Sequence, residues 1–196
     1  QQEKKLAQSA DRVICCSSYM ADEVENDLQV RAEKIVVIPN GVNPDQITGV
    51  PPGRDERRKL AAENEKIIYF IGRLVREKGI EVLLRALPAV MAHDSDVKLV
   101  ISGKGPMEAE LHREICRLKI NDNVCFTGFV NDTQRNRLLT AADMVVVPSL
   151  YEPFGIVALE AMAAEKPVIA SNVGGLREII RHGRDGILFP PGDDKA

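Results

Sequence analysis

No excess of charge of either sign marks this chain. Its 26 basic residues stand against 29 acidic ones, a formal charge of -3, which excludes an electrostatic nucleic-acid surface and leaves no polybasic face for a membrane. No CxxC or zinc-like spacing links the four cysteines, Cys15, Cys16, Cys116 and Cys125; two sit side by side in an expected strand. All four are expected to be reduced core residues rather than metal ligands or disulfide partners. No apolar run reaches membrane-spanning length, and the opening QQEKKLAQSA is charged and helical in character, unlike a signal-peptide core. A cytoplasmic location is the expectation. Internal repeats and low-complexity segments are absent too.

What is present is a 44% hydrophobic composition, enough for a substantial core. From residue 66 onward, short β-rich runs (KIIYFIG, VKLVISG, NVCFTG, DMVVVPS, PVIAS, GILFP) alternate with helical patterns such as GIEVLLRALPAVM and PMEAELHREICRL. That alternation predicts an α/β fold, a doubly wound parallel six-strand sheet with helices on both faces. Residues 41–65, GVNPDQITG onward, turn from Gly and Pro to charge and read as a linker leading into a surface helix. Residues 1–40 hold helix, strand, helix (SYMADEVENDL) and strand, too few elements to enclose a core, and look like the end of another domain. Residues 66–196 then form the main domain, stopping after a strand where a covering helix is expected.

Ligands of open α/β sheets sit outside the carboxyl ends of the strands. Five loops there contain glycine: GRLVREKG (72–79), SGKGP (102–106), TGFVND (127–132), PSLYEPFG (148–155) and SNVGG (171–175). SGKGPM lacks the third glycine of a dinucleotide fingerprint and follows the second strand, and no GxxxxGK[ST] exists, so neither a dinucleotide oxidoreductase nor a P-loop nucleotidase is indicated. Arg73 and Lys78 flank the first of these loops. A guanidinium fork, a compact ammonium and a helix N-terminus near Gly79 together suit a diphosphate, although two solvated surface charges would look the same in sequence.

Glu152 and Glu160 lie eight positions apart in YEPFGIVALEAMA, a stretch otherwise almost wholly apolar. A buried carboxylate needs a partner, since leaving it unpaired costs several kcal/mol. Glu152 falls in the loop after a strand. Glu160 sits roughly 7 Å into the following, apparently buried helix at about 1.5 Å per residue. Both can border one cleft, where each carboxylate can accept two vicinal sugar hydroxyls. The plainer alternatives are an ion pair with a neighbouring basic side chain for Glu160 and a helix-entry carboxylate for Glu152.

EPFGIVALE resembles the E-x7-E motif of retaining GT-B glycosyltransferases. With GRLVREKG, VIPNGVN and VPSLYEPFGIVALEAMA the chain closely resembles glycosyltransferase family 4 from about ADRVICCSSYM to its end. The resemblance implies two Rossmann-like domains across a cleft, with residues 66–196 as the donor-binding one, truncated at its C-terminus, and residues 1–40 as a remnant of the N-terminal one. It also implies that Arg73 and Lys78 hold the donor diphosphate, with Gly72 beside them, and that Glu160 binds the ribose. Glu152 would contact the transferred sugar, the backbone of Phe154, Gly155 and Ile156 would lie along that sugar and its phosphate, and Phe129 and Val130 would border the base. Retention of anomeric configuration and no metal or other cofactor are implied, because Arg, Lys and helix dipoles stand in for a divalent cation. The substrate would be a UDP-, ADP- or GDP-linked hexose, glucose first, passed to a hydroxyl acceptor bound by the N-terminal domain, as in a glycogen synthase-like parent; alone, this half is expected to be inactive. His93, His112 and His182 fall in helix-end or helix-surface contexts and receive no catalytic role. Alternatives are a non-catalytic nucleotide-sugar binding module and another GT-B enzyme such as a sugar-nucleotide epimerase. A phosphorylase needs a buried lysine for a Schiff base, and Lys166 looks like a turn residue.

Overall fold

In a computed structural model, which describes residues 1–49 and 54–196, the β-rich runs pair into two parallel sheets. β1 (Val13–Cys15) and β2 (Ile35–Val37) form the smaller, carried with α1 (Gln2–Ser9) and α2 (Ser18–Leu28). Its buried apolar set is Cys15, Val24 and Val30, while Ile14 and Ile38 stay exposed, as few elements would predict. After α3 (Pro44–Thr48) and α4 (Arg54–Leu60) comes the larger sheet: β3 (Lys66–Ile71), β4 (Val97–Ser102), β5 (Val124–Gly128), β6 (Met144–Val147), β7 (Val168–Ser171) and β8 (Ile187–Phe189). The spatial order is β5-β4-β3-β6-β7-β8, every neighbouring pair parallel. The crossovers contain α5 (Ile80–His93), α6 (Glu108–Leu118), α7 (Asp132–Ala141), α8 (Ile156–Ala163) and α9 (Leu176–Ile179).

The continuous apolar run of β3 follows from burial on both faces. Ile67 and Tyr69 enter one core, with α3, α7, α8 and α9; Ile68 and Phe70 enter the other, with α5 and α6. The predicted doubly wound α/β class is therefore observed.

Three local expectations need correction. Within the predicted linker, residues 44–48 form a helix: Asn43 caps it by accepting the Asp45 amide at 3.0 Å, and Pro44 opens it. The reason is packing. Ile47 is buried in the first core, and buried Asn136 donates to the Gln46 carbonyl at 2.7 Å. The linker's residues 50–53 lie outside the described residues. The cysteines are all free, but only Cys15 is a core residue; Cys116 is exposed, because Leu111 and Ile115 take the inward positions of α6. His182 lies between α9 and β8, not on a helix: it forms an isolated parallel β-bridge with Gly186, and its Nδ1 accepts the Leu188 amide at 3.0 Å.

Candidate functional site

The strand order reverses at β3 and β6, and the helices that follow them, α5 and α8, pack into the cores on opposite faces of the sheet. The loops leaving the two strands are those of Arg73–Lys78 and of Glu152. They are stitched together by backbone: the amides of Leu150 and Tyr151 both donate to the Glu77 carbonyl, at 2.8 and 3.2 Å. Gly79 completes the seam. Its φ of +62° is left-handed, and a Cβ there would stand 2.0 Å from the Pro148 carbonyl oxygen.

The seam brings Lys78 Nζ to 2.7 Å from Glu152 Oε2, and the buried Ser149 hydroxyl donates to the same oxygen at 3.0 Å. Glu152 is 8% exposed, so its charge is balanced inside the protein by one ammonium and one hydroxyl. Arg73, in contrast, is exposed and makes no ion pair among the described residues. Arg73, Gly72, Phe129 and Val130 line a cleft of about 210 Å³ together with Gly103 and Lys104. Phe129 is 73% exposed there.

Glu160 lies on α8 and is also 8% exposed, but its neighbour is Arg135 of α7, at 3.2 Å from Oε1. Arg135 in turn reaches Asp132 at 3.0 Å. Burial raises the Glu160 carboxyl above its ordinary value; Arg135 offsets part of this and Asp132 adds to it, and the net shift is upward. Phe154 is buried and Ile156 exposed, so α8 is not the wholly buried helix that its composition suggests. Gly155 and Gly79 are the N-cap residues of α8 and α5, and no side chain caps either helix. The first turn of α8 holds no acidic residue, and that of α5 holds Glu81.

Arg135, Ser149 and Lys104 are site residues that the sequence reading missed. Arg135 is embedded in DTQRNRLLTA, where its neighbours look equally solvated, and only the α7–α8 packing sets it on Glu160. Lys104 sits in SGKGP, a loop singled out for its glycines alone. A larger groove of about 350 Å³ opens elsewhere, between α5 and the chain's last residues, but its lining is mostly apolar and includes none of Arg73, Lys78, Glu152 or Glu160. Of those four residues the smaller cleft is lined by Arg73 alone. Among the described residues, no three His, Cys, Asp or Glu side chains gather where they could hold a metal ion. No helix there is long and apolar enough to cross a membrane.

A doubly wound parallel sheet with this strand order, carrying the Lys78–Glu152 pair at its switch-point edge, is the Rossmann-like half of a GT-B fold. Comparison with known proteins agrees: residues 53–196 match the family Glycosyl transferases group 1, residues 1–46 match Glycosyltransferase Family 4, and the chain belongs to the group 1 glycosyl transferases. It is 43% identical over 188 residues to an uncharacterized glycosyltransferase of Methanocaldococcus jannaschii, covering 93% of this chain and 48% of that protein. It is 34% identical over 191 residues to a glycogen synthase of Mycobacterium tuberculosis, covering 97% and 44%. Among solved structures, Anabaena Alr3699/HepE in complex with UDP-glucose superposes with a TM-score of 0.87 at 31% identity, covering 97% of this chain and 53% of that one. Sucrose-phosphate synthase from Thermosynechococcus elongatus does so at 0.83 and 34%, covering 99% and 49%. The chain spans about half the length of the curated relatives it matches.

Proposed function

We propose that this chain supplies the donor-binding half of a retaining, metal-independent hexosyltransferase, which passes a sugar, glucose first, from a nucleoside diphosphate to a hydroxyl acceptor. The observation that carries the reading is the Lys78–Glu152 pair at the β3–β6 switch point, with Arg73 leaving the carboxyl end of β3. In this reading Arg73, Lys78 and the open N-termini of α5 and α8 receive the diphosphate and neutralise its charge as it leaves, the role a divalent cation plays elsewhere. The diphosphate competes for Lys78, which turns the Glu152 carboxylate toward the hydroxyls of the transferred sugar. Glu160 takes the ribose hydroxyls from beside Arg135, and Phe129 and Val130 border the base. The acceptor is read by the half of the protein that the relatives have and this chain does not span. Four free thiols fit a cytoplasmic setting.

A glucosyl donor is favoured because the similar proteins include a glycogen synthase and a structure holding UDP-glucose. The test is ligand-observed NMR of the chain with UDP, ADP, GDP and their glucose conjugates, first without metal and then with magnesium. The expected result is selective binding of one nucleotide family, tighter for its glucose conjugate and unchanged by magnesium. Binding only when magnesium is added would refute the metal-independent site. Binding of no nucleotide would remove the donor role from this chain.

A further inference from the structure

The loop that carries Glu152 is gripped from the smaller sheet as well. Ser17, the N-cap residue of α2 and 1% exposed, accepts the Met20 amide at 3.0 Å and donates its own hydroxyl to the Pro153 carbonyl at 2.5 Å. The amides of Ser18 and Tyr19 donate at 2.9 and 2.8 Å to the two carboxylate oxygens of Glu178, so that an acidic side chain from α9 closes the positive end of α2. One turn further on, Glu23 accepts the hydroxyls of Tyr19 and Tyr151, at 2.5 and 2.7 Å, and the two rings meet edge to face with centroids 6.1 Å apart.

These ties hold the two sheets together. Their landing points say more, because Tyr151 and Pro153 are the residues on either side of Glu152. From the turn before α9, the Gly175 amide donates to the Glu152 carbonyl at 2.9 Å, and Gly174 is so close that a Cβ there would stand 2.0 Å from that oxygen. The backbone around Glu152 is therefore held both by α2 and by the turn before α9. The charge state of the clamp is set as well: burial raises the Glu178 carboxyl, but the amides of Tyr19 and Ser18 outweigh it and the net shift is downward, so Glu178 is ionised at neutral pH.

We propose that Glu23 and Glu178, acting through Tyr151 and the first turn of α2, are positioning residues that fix Glu152 against the transferred sugar. This rests on the reading of Glu152 as a sugar contact. A carboxylate that must meet particular hydroxyls loses most of its effect if its loop shifts by about 1 Å, which is what a second shell of fixed partners prevents.

The test uses Tyr151→Phe and Glu178→Gln, two independent variants of the chain, with two readouts. Without ligand, hydrogen exchange at the amides of Tyr151 and Gly175 is expected to speed up about tenfold while circular dichroism and the melting temperature stay near the parent's. Unchanged exchange in both variants overturns the clamp whatever the ligand results. With ligand, affinity for UDP-glucose is expected to fall about tenfold while affinity for UDP alone holds. Equal losses for both ligands, as a general packing defect gives, overturn the positioning role. A parent chain that binds UDP-glucose no better than UDP instead refutes the underlying reading of Glu152.

Discussion

Replacing Lys78 by alanine is expected to cost the chain about thirtyfold in affinity for a nucleoside diphosphate, roughly 2 kcal/mol, with or without an attached sugar. Charged groups in hydrogen bonds contribute more than neutral ones, and here the ammonium is partly shielded from water beside Glu152. A second effect follows from the same pair. Removing the cation leaves the Glu152 carboxylate, 8% exposed, with Ser149 as its remaining side-chain partner, so stability falls by about 1–2 kcal/mol, less than for a fully buried pair because Lys78 keeps some solvent. The double variant Lys78→Ala/Glu152→Ala should regain much of that stability without regaining affinity, because the unpaired charge is gone while the diphosphate partner stays missing. Thermal melts and isothermal titration of the two single variants and the double variant measure both effects. Lys78→Ala binding UDP as the parent does would make Lys78 a structural counter-ion for Glu152 and nothing more.

Glu160→Gln is expected to make the protein more stable and a worse ligand binder at once. The net shift of Glu160 is upward from its ordinary 4.5, with burial as the main cause. A folded-state value above the unfolded one means that the native state holds the proton more tightly. The resulting stability is fully present below the unfolded value and is lost as the pH rises through the raised folded one. At pH 7.5 the ionised carboxylate is therefore a net burden despite Arg135. Glutamine removes it, and Arg135 keeps Asp132 as a partner. The melting temperature should rise at pH 7.5, and the gap from the parent should close as the pH falls toward 4.5. Nucleotide affinity should drop about tenfold, since an amide offers one acceptor where a carboxylate offers two to the ribose diol. A lower melting temperature with affinity intact would mark Glu160 as a mere partner for Arg135.

The fold was legible because its rules are local. Strands buried on both faces must be apolar throughout, as in KIIYFI, and helices such as SYMADEVENDL appear at the expected bounds. The α3 helix escaped notice because five residues carry no period, and its reason to exist is the Ile47 contact with a core whose other buried members run from Ile67 to Ile180. Within the site, Arg73, Lys78, Glu152 and Glu160 stood out by type and spacing, and the fold explains their setting through the order of β3 and β6. Their partners did not stand out. Arg135 is one charge among several on α7, and Glu23 meets Tyr151 across 128 positions of sequence. Pairings of this kind are properties of packing between elements, which no single segment encodes.

The central claim is that one ligand spans the β3 and β6 loops. Titrating the isotope-labelled chain with UDP-glucose and following backbone amide shifts tests it most directly. The predicted result is a set of shifts confined to residues 72–79, 128–130 and 150–160, with α1 and the outward face of α6 unmoved. Shifts gathered instead around the apolar groove between α5 and Asp193, with Arg73, Lys78 and Gly155 silent, would contradict it.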